Sequence, residues 1–219
     1  MELFKNTLFI NLESRKDRLE HVLGEFKKLD IHSERVDAIK MASGAIGCTM
    51  SHIKCLELAK ERNYENVFIC EDDITFLKPE LLIENITKFH NNKDINWDVL
   101  IISGNNCPPY QKISDYCSRI FDCQAATGYI VKQNMYDIML NNFKTGLSEL
   151  IKDPNNKRQY AVDMYWKHLQ PKYFWYIITP LTTIQYENYS DIEKQDVNYT
   201  GLMLDMNKEW LFKKKMVIN

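Results

Sequence analysis

The hydrophobic positions change period along the chain, and those changes outline its elements. Residues 8–12 form a short apolar run of strand length. Ser14 then opens a helix whose stripe is Leu19, Val22, Leu23 and Phe26, with Asp17 three residues on in a capping-box-like pattern. Residues 33–37 predict a second strand, and 41–47 a glycine-containing loop. Cys48, His52, Cys55, Leu56 and Ala59 recur at helical spacing. Residues 66–70 predict a third strand, which runs into Glu71-Asp72-Asp73. Pro79 suits the first turn of a third helix, with Leu82, Ile86 and Phe89 facing inward. Residues 98–102 predict a fourth strand, stopped by Ser103-Gly104-Asn105-Asn106.

The second half is less regular. Residues 129–131 predict a strand, 135–143 a helix, 153–156 a loop, 162–169 a helix and 173–178 a strand. Residues 186–201 are polar and read as irregular. The alternation in the first half predicts an α/β fold with a mainly parallel central sheet flanked by helices. Ligands in such sheets sit outside the carboxyl ends of the strands. Asn11, Asp37, the Glu71-to-Asp73 run and Gly104 all fall at such ends, so one shared site is expected there.

Length and composition narrow the picture. The chain has 219 residues, 45% hydrophobic and 26% charged, which suits one domain with a sizeable core. We divide it into two halves, 1–106 and 107–219, the second carrying a tail. The net charge of −2 gives no basic field for nucleic acid. The apolar run near the N-terminus is too short for a signal peptide or membrane span, so a soluble, cytoplasmic protein is expected. None of the six cysteines forms a CxxC pair, and reduced core thiols are favoured over disulfides or zinc. The segment Trp210-Leu211-Phe212-Lys213-Lys214-Lys215 mixes apolar and basic residues. It offers a peripheral contact with an anionic membrane surface, though a docked end with a solvated basic edge is the plainer reading.

Glu71-Asp72-Asp73 is the central chemical motif. Three successive carboxylates repel one another, and a cation relieves the cost. In extended chain Glu71 and Asp73 share a side, presenting hard oxygen ligands suited to Mn²⁺ or Mg²⁺. A solvated acidic loop is the bland alternative. Arg15 and Arg18 follow the first strand, where a helix start favours anions and guanidinium groups suit phosphate. Asp37 offers an acceptor for a ribose hydroxyl or base N–H, or is a turn residue. Ser51 caps the helix or donates to substrate. His52 shares the apolar stripe, where a satisfied core role is the commoner one. Asp163 lies off the Val162/Trp166/Leu169 face and can act as a general base, or pair with Lys167 at i,i+4.

Taken together, these motifs resemble glycosyltransferase family 25, which contains bacterial lipooligosaccharide galactosyltransferases and procollagen galactosyltransferases. The resemblance rests on Ile10-Asn11-Leu12 with Arg15 and Arg18, Arg35-Val36-Asp37-Ala38, Gly47-Cys48 with Ser51-His52, and Phe68-Ile69-Cys70-Glu71-Asp72-Asp73. It continues through Gly128-Tyr129-Ile130-Val131, Val162-Asp163, and Pro180-Leu181 with Gln185 and Ser190-Asp191-Ile192. It implies a GT-A-like fold, a divalent metal on Glu71 and Asp73, and inverting transfer of a hexose from a UDP-sugar to a glycan or protein acceptor. Asn11, Arg15, Arg18, Asp37, Ser51, His52, Asp72 and Gly104 are then expected around the donor. The resemblance raises Asp163 to a base candidate. The rival expectations are a metal-dependent nucleotidyl- or phosphotransferase, which no P-loop supports, and a degenerate transferase that binds nucleotide or a partner without turnover.

Overall fold

The computed structural model describes residues 2–190, 192 and 194–210. Strand β1 (Thr7–Asn11) leads through helix α1 (Lys16–Lys28) to β2 (Ser33–Asp37), and α2 (Gly44–Glu61) leads to β3 (Asn66–Glu71). After the short β4 (Ile74–Phe76), α3 (Pro79–Asn91) leads to β5 (Val99–Asn106). Strands β6 (Tyr110–Lys112), β7 (Cys117–Ile120) and β8 (Cys123–Lys132) follow, then α4 (Tyr136–Lys152) and two single-turn helices, α5 (Lys157–Tyr160) and α6 (Val162–Tyr165). Next come β9 (Trp175–Ile178), β10 (Thr183–Gln185), a β11 (Asn188–Ser190)–β12 (Gln195–Val197) hairpin and α7 (Thr200–Met203).

Eight strands form the central sheet in the order β2-β1-β3-β8-β5-β9-β7-β6. β1 is parallel to β2 and β3, and β5 is parallel to β9. β8 runs antiparallel between β3 and β5, so β3 and β5 point the same way. The expected mainly parallel core is therefore present, with β8 and β7 reversed within it.

Side chains alternate between two apolar layers, as the pleat requires. Leu8, Ile10, Val67, Ile69, Val99, Ile101, Tyr129 and Val131 face the layer containing α2 and α4. Phe9, Phe68, Cys70, Leu100, Ile102 and Ile130 face the layer containing α1 and α3. Trp166 and Trp175 are fully buried and meet edge-on, with ring centroids 5.2 Å apart. All six cysteines carry free thiols, four of them buried.

Several elements depart from the sequence expectation. The first helix starts at Lys16, and its N-cap, Arg15, makes no side-chain capping bond. Asp17 instead accepts from the Arg15 guanidinium at 3.0 and 2.8 Å. β5 does not stop at Ile102 but continues to Asn106, with register shifts on either side of Ser103. These irregularities let poor strand formers remain in a buried strand. A Cβ at Gly104 would lie 2.7 Å from Ile101 Cγ2 and 2.8 Å from Cys123 Sγ, so close packing requires glycine there. The expected helix over 162–169 is α6 followed by a 3₁₀ turn, Trp166–Leu169. The region expected to be irregular, 186–201, contains the β11–β12 hairpin and the start of α7. No helix among the described residues is long and apolar enough to cross a membrane. Residues 211–215 of the basic–aromatic tail lie outside the described residues.

Gly47 ties this scaffold to the site. Its backbone packs so closely against the loop before α2 that a Cβ would overlap the Ile39 carbonyl oxygen and approach Met41 N to 3.3 Å. Gly47→Ala is expected to cost about 1–3 kcal/mol as overpacking. Each kcal/mol corresponds to ~2–4 °C in Tm for a chain of this size. Calorimetry checks the loss, and an unshifted Tm would show that the loop yields freely.

Candidate functional site

The site is built where β3 gives way to a turn. Asp72 and Asp73 occupy that turn, and Arg18 projects from the first turns of α1 between them. Arg18 Nη1 donates to Asp72 Oδ1 at 2.9 Å and lies 3.2 Å from Asp73 Oδ2. Its Nη2 donates to the Tyr189 carbonyl at 3.1 Å. Asn11, at the end of β1, donates from Nδ2 to Asp72 Oδ2 at 2.6 Å and accepts from Arg35 Nε at 2.9 Å. Pairing of β4 with β10 sets Gln185 beside the turn, where its Nε2 donates to Asp73 Oδ2 at 3.0 Å. Asp73 Oδ1 is buried without a hydrogen-bond partner.

Glu71 turns the other way. Its Oε1 lies 3.2 Å from His52 Nε2 and accepts from Cys48 Sγ at 3.5 Å. His52 is fully buried, and its Nδ1 lies 2.8 Å from the Tyr129 hydroxyl. The extended-chain expectation that Glu71 and Asp73 share a side therefore fails, because the strand ends at Glu71 and the next two residues turn. Asp73 joins Asp72 at Arg18, while Glu71 faces α2.

These contacts shift the acids unequally. Burial pushes Asp73 up to about 8, helped by the neighbouring Glu71 charge and opposed by Arg18. Burial also raises Asp72, against the pull of Arg18 and Asn11. At Glu71, burial is outweighed by the contact with His52, which together with the Cys48 and Arg18 interactions holds the carboxyl below its ordinary value. Burial keeps the Cys48 thiol well up, and the Glu71 and Asp163 charges add to this. One buried guanidinium thus pairs with two carboxylates and acts on a third, Glu71, at longer range. The surplus negative charge and the unpartnered Asp73 oxygen form a hard-oxygen donor set that suits a divalent cation.

Two cavities meet at this turn. The first, about 190 Å³, is lined by the acidic triplet, Arg15, Arg18, Ser51 and the 38–42 loop. The second, about 390 Å³, is lined by Asn105, residues 124–127, Lys157, Arg158, Asp163 and Tyr199. Cys48, Glu71, Gln185, Ser190 and Ile192 line both. Asp163 Oδ2 accepts from the Ala125 N–H at 2.9 Å. Ala125 has φ 68°, a left-handed conformation that costs a non-glycine residue. Burial raises the Asp163 carboxyl above its ordinary value, while the Ala125 bond opposes it. The alternative pairing with Lys167 is not formed, because Lys167 lies 2.5 Å from Asp122 and bonds Gln124.

The other expected residues are placed as follows. Arg15 lines the first cavity and also donates to the Asn188 side chain and the Tyr189 carbonyl. Ser51 Oγ accepts from the Ile39 N–H at 2.8 Å and donates to the Gly47 carbonyl at 2.7 Å, holding the loop that walls this cavity. Asp37 is exposed at the end of β2, pairs with Arg35 at 2.8 Å and lines neither cavity. Gly104 is buried and lines neither. Ala125 had no role in the sequence reading, and Tyr129 and Ser190 entered it only through a predicted strand and the family resemblance. No local pattern marks them, since each reaches the site only through tertiary pairing.

A mixed sheet of this order, with the acidic turn at the end of β3, is a GT-A-like fold. The sequence profile of glycosyltransferase family 25 (LPS biosynthesis protein) matches residues 40–166, more than half of the chain, and the chain belongs to this family. A Haemophilus influenzae protein named as a candidate glycosyltransferase is 33% identical over 87 residues. That match covers 30% of this chain and 31% of the relative, so the chain matches about a third of that protein's length. Among solved structures, a glycosyltransferase involved in glycosylation of the major capsid of PBCV-1 superposes with TM-score 0.54 at 13% identity, covering 86% of this chain and 95% of that one. The glycosyltransferase GlyE of Streptococcus pneumoniae superposes with TM-score 0.51 at 6% identity, covering 96% and 64%. At these identities the likeness is one of fold.

The raised Asp73 carboxyl gives a pH signature. Between its ordinary value of 3.8 and about 8, the folded protein holds a proton that the unfolded chain releases. Stability of the metal-free protein should therefore fall as pH rises through that window. In chelator, Asp73→Asn is expected to flatten this slope. Melting curves across the window test it, and an undiminished slope in the variant would assign the proton to another group.

Proposed function

We propose that this chain is a metal-dependent, inverting hexosyltransferase. It takes galactose or glucose from a UDP-sugar to an acceptor hydroxyl on a glycan, a lipooligosaccharide or a hydroxylysine-type protein. The observation that carries this reading is the pair of cavities joined across Glu71, one bearing arginines and the acidic turn, the other bearing Asp163. A two-substrate displacement needs such a division: a donor seat, an acceptor seat and a shared edge where the bond is exchanged.

In this reading the first cavity is the donor seat. Arg15 and Arg18 line it beside the acidic turn, and their guanidinium groups suit the diphosphate. Glu71 and Asp73 reach this cavity from different sides of the strand end and would together hold Mn²⁺ or Mg²⁺, with Asp72 held between Asn11 and Arg18. When bound, the cation neutralises charge developing on the leaving diphosphate. Asn11 and Gln185 orient the carboxylates, and Ser51 holds the loop that closes the cavity on its far side.

The second cavity is the acceptor seat. Its polar lining, with Lys157, Arg158, Gln124 and Asn105, suits a hydroxyl-rich molecule. Asp163 takes the proton from the attacking hydroxyl as positive, oxocarbenium-like charge develops on the donor sugar. Its raised carboxyl is a stronger base once ionised. In this reading residues 1–106 supply most of the donor seat and 107–219 most of the acceptor seat, with Gln185, Ser190 and Ile192 crossing to the first and Ala45, Cys48, Glu71 and Asn105 to the second.

Three outcomes test the reading. UDP should raise Tm only with Mn²⁺ or Mg²⁺ present, and equal stabilisation in excess chelator would sink the metal-bridged donor site. Asp163→Asn should lower kcat sharply with donor affinity nearly unchanged. A folded variant that transfers at the wild-type rate removes Asp163 from the chemistry. Asp73→Asn should lose roughly a hundredfold or more of metal-dependent transfer, measured with labelled UDP-hexoses. Binding of UDP without turnover by the wild-type protein would favour a degenerate transferase.

A further inference from the structure

Cys48, His52 and Glu71 hold a second kind of donor set at the edge shared by the two cavities. Their ligand atoms, Sγ, Nε2 and Oε1, all lie within 4.8 Å of one another. Two of the separations are 3.2 Å from Nε2 to Oε1 and 3.5 Å from Sγ to Oε1. Zinc bonds to sulfur at about 2.3 Å and to nitrogen or carboxylate oxygen at about 2.0–2.2 Å. The edges of a tetrahedron with those bond lengths are about 3.3–3.6 Å. The two edges that meet at Glu71 Oε1 therefore already have tetrahedral length, and the Cys48 Sγ to His52 Nε2 edge lies within 4.8 Å.

The surroundings support the geometry. Tyr129 meets His52 Nδ1 at 2.8 Å, and a hydroxyl can either donate to that nitrogen or accept from it. His52 can thus move its proton to Nδ1 and free Nε2 for a metal while keeping its Tyr129 contact. Such a partner on the far nitrogen is the usual second-shell support of a metal-bound histidine. Cys48 and Glu71 both line the two cavities, so the fourth corner is reached from open space. A thiol in the set selects against Mg²⁺ and Mn²⁺ and in favour of Zn²⁺ or Cd²⁺.

We propose that Cys48, His52 and Glu71 form a thiophilic metal site for Zn²⁺, distinct from the hard-oxygen site at Asp73, and that occupying it draws Glu71 away from the donor's cation. The binding step balances simply: the Cys48 S–H proton passes to solvent as the S–Zn bond forms, and the His52 proton moves from Nε2 to Nδ1. The site needs no transferase activity, whereas the antagonism rests on the donor-site reading above. Zn²⁺ and the donor's cation compete for one carboxylate, so the first should weaken metal-dependent UDP binding.

Cd²⁺ titration of the metal-free protein tests the site directly, because a cadmium thiolate has an ultraviolet charge-transfer band. The band should saturate at one equivalent, vanish on adding Zn²⁺ and persist in excess Mg²⁺. Cys48→Ser should abolish it, while Cys107→Ser, which changes the other partly exposed cysteine, should keep it. No band in the wild type, or an equal band in folded Cys48→Ser, overturns the site. Alkylation mapping of the wild-type protein gives the same answer without a variant: Zn²⁺ should slow Cys48 modification about tenfold or more, and equal rates overturn the proposal. For the antagonism, Zn²⁺ should reduce the Tm rise given by UDP with Mn²⁺ in the wild type but not in Cys48→Ser. An undiminished rise overturns that part while the Cd²⁺ result stands by itself.

Discussion

The buried guanidinium of Arg18 is the interaction on which the site depends. Three consecutive carboxylates at the end of a buried strand repel one another and lose water. Arg18 is 9% exposed and meets two of them together with the Tyr189 carbonyl. Lysine cannot replace it here, because only a planar fork reaches two carboxylates and a carbonyl at once. The same group joins α1, the β3–β4 turn and the β11–β12 hairpin, so charge balance and tertiary structure are set together. Removing one side of such a buried pair leaves an uncompensated charge, which is why the acids and the arginine have to be read as one unit.

Strand parity explains how the acids divide. Along β3, Val67 and Ile69 face the α2–α4 layer, while Phe68 and Cys70 face the α1–α3 layer. Glu71 continues the first set and meets Cys48 and His52 on α2. Asp72 continues the second and meets Arg18 on α1. Asp73 would return to the first side in extended chain, but the turn brings it to Arg18 as well. One strand end thus presents a hard, arginine-balanced pair of carboxylates on one side and a mixed sulfur–nitrogen–oxygen group on the other.

The first half of the chain was readable because each strand carries a dense apolar run and each helix a stripe. The acidic turn, Arg18 and Asn11 fall where strand ends were expected to converge. The extent of β5 was not readable, because Ser103, Gly104, Asn105 and Asn106 are individually poor strand residues and only the bulged pairing with β8 keeps them in the sheet. Gln185 illustrates the same limit within the site. It was noted only as part of the family resemblance, and its bond to Asp73 follows from β10 pairing with β4, a contact across more than a hundred residues that no local pattern encodes.

Asp163 combines both situations. Its helical position correctly suggested that it lies off the apolar face, but the same spacing suggested an ion pair with Lys167. Asp122 and Gln124, near the start of β8, compete successfully for that lysine. One residue further on, Ala125 adopts a left-handed backbone and turns its N–H onto Asp163. The segment 122–125 therefore draws Lys167 out of a direct ion pair with Asp163 and supplies a neutral backbone donor in its place. With the lysine at i,i+4 the carboxylate would be held low and weakly basic. Burial instead raises its value, against the pull of the Ala125 and Asp163 N–H groups and the nearby Lys167 charge. A left-handed alanine in β8 thus aims a backbone donor at an aspartate on α6, a contact across 38 residues of sequence that no local pattern encodes.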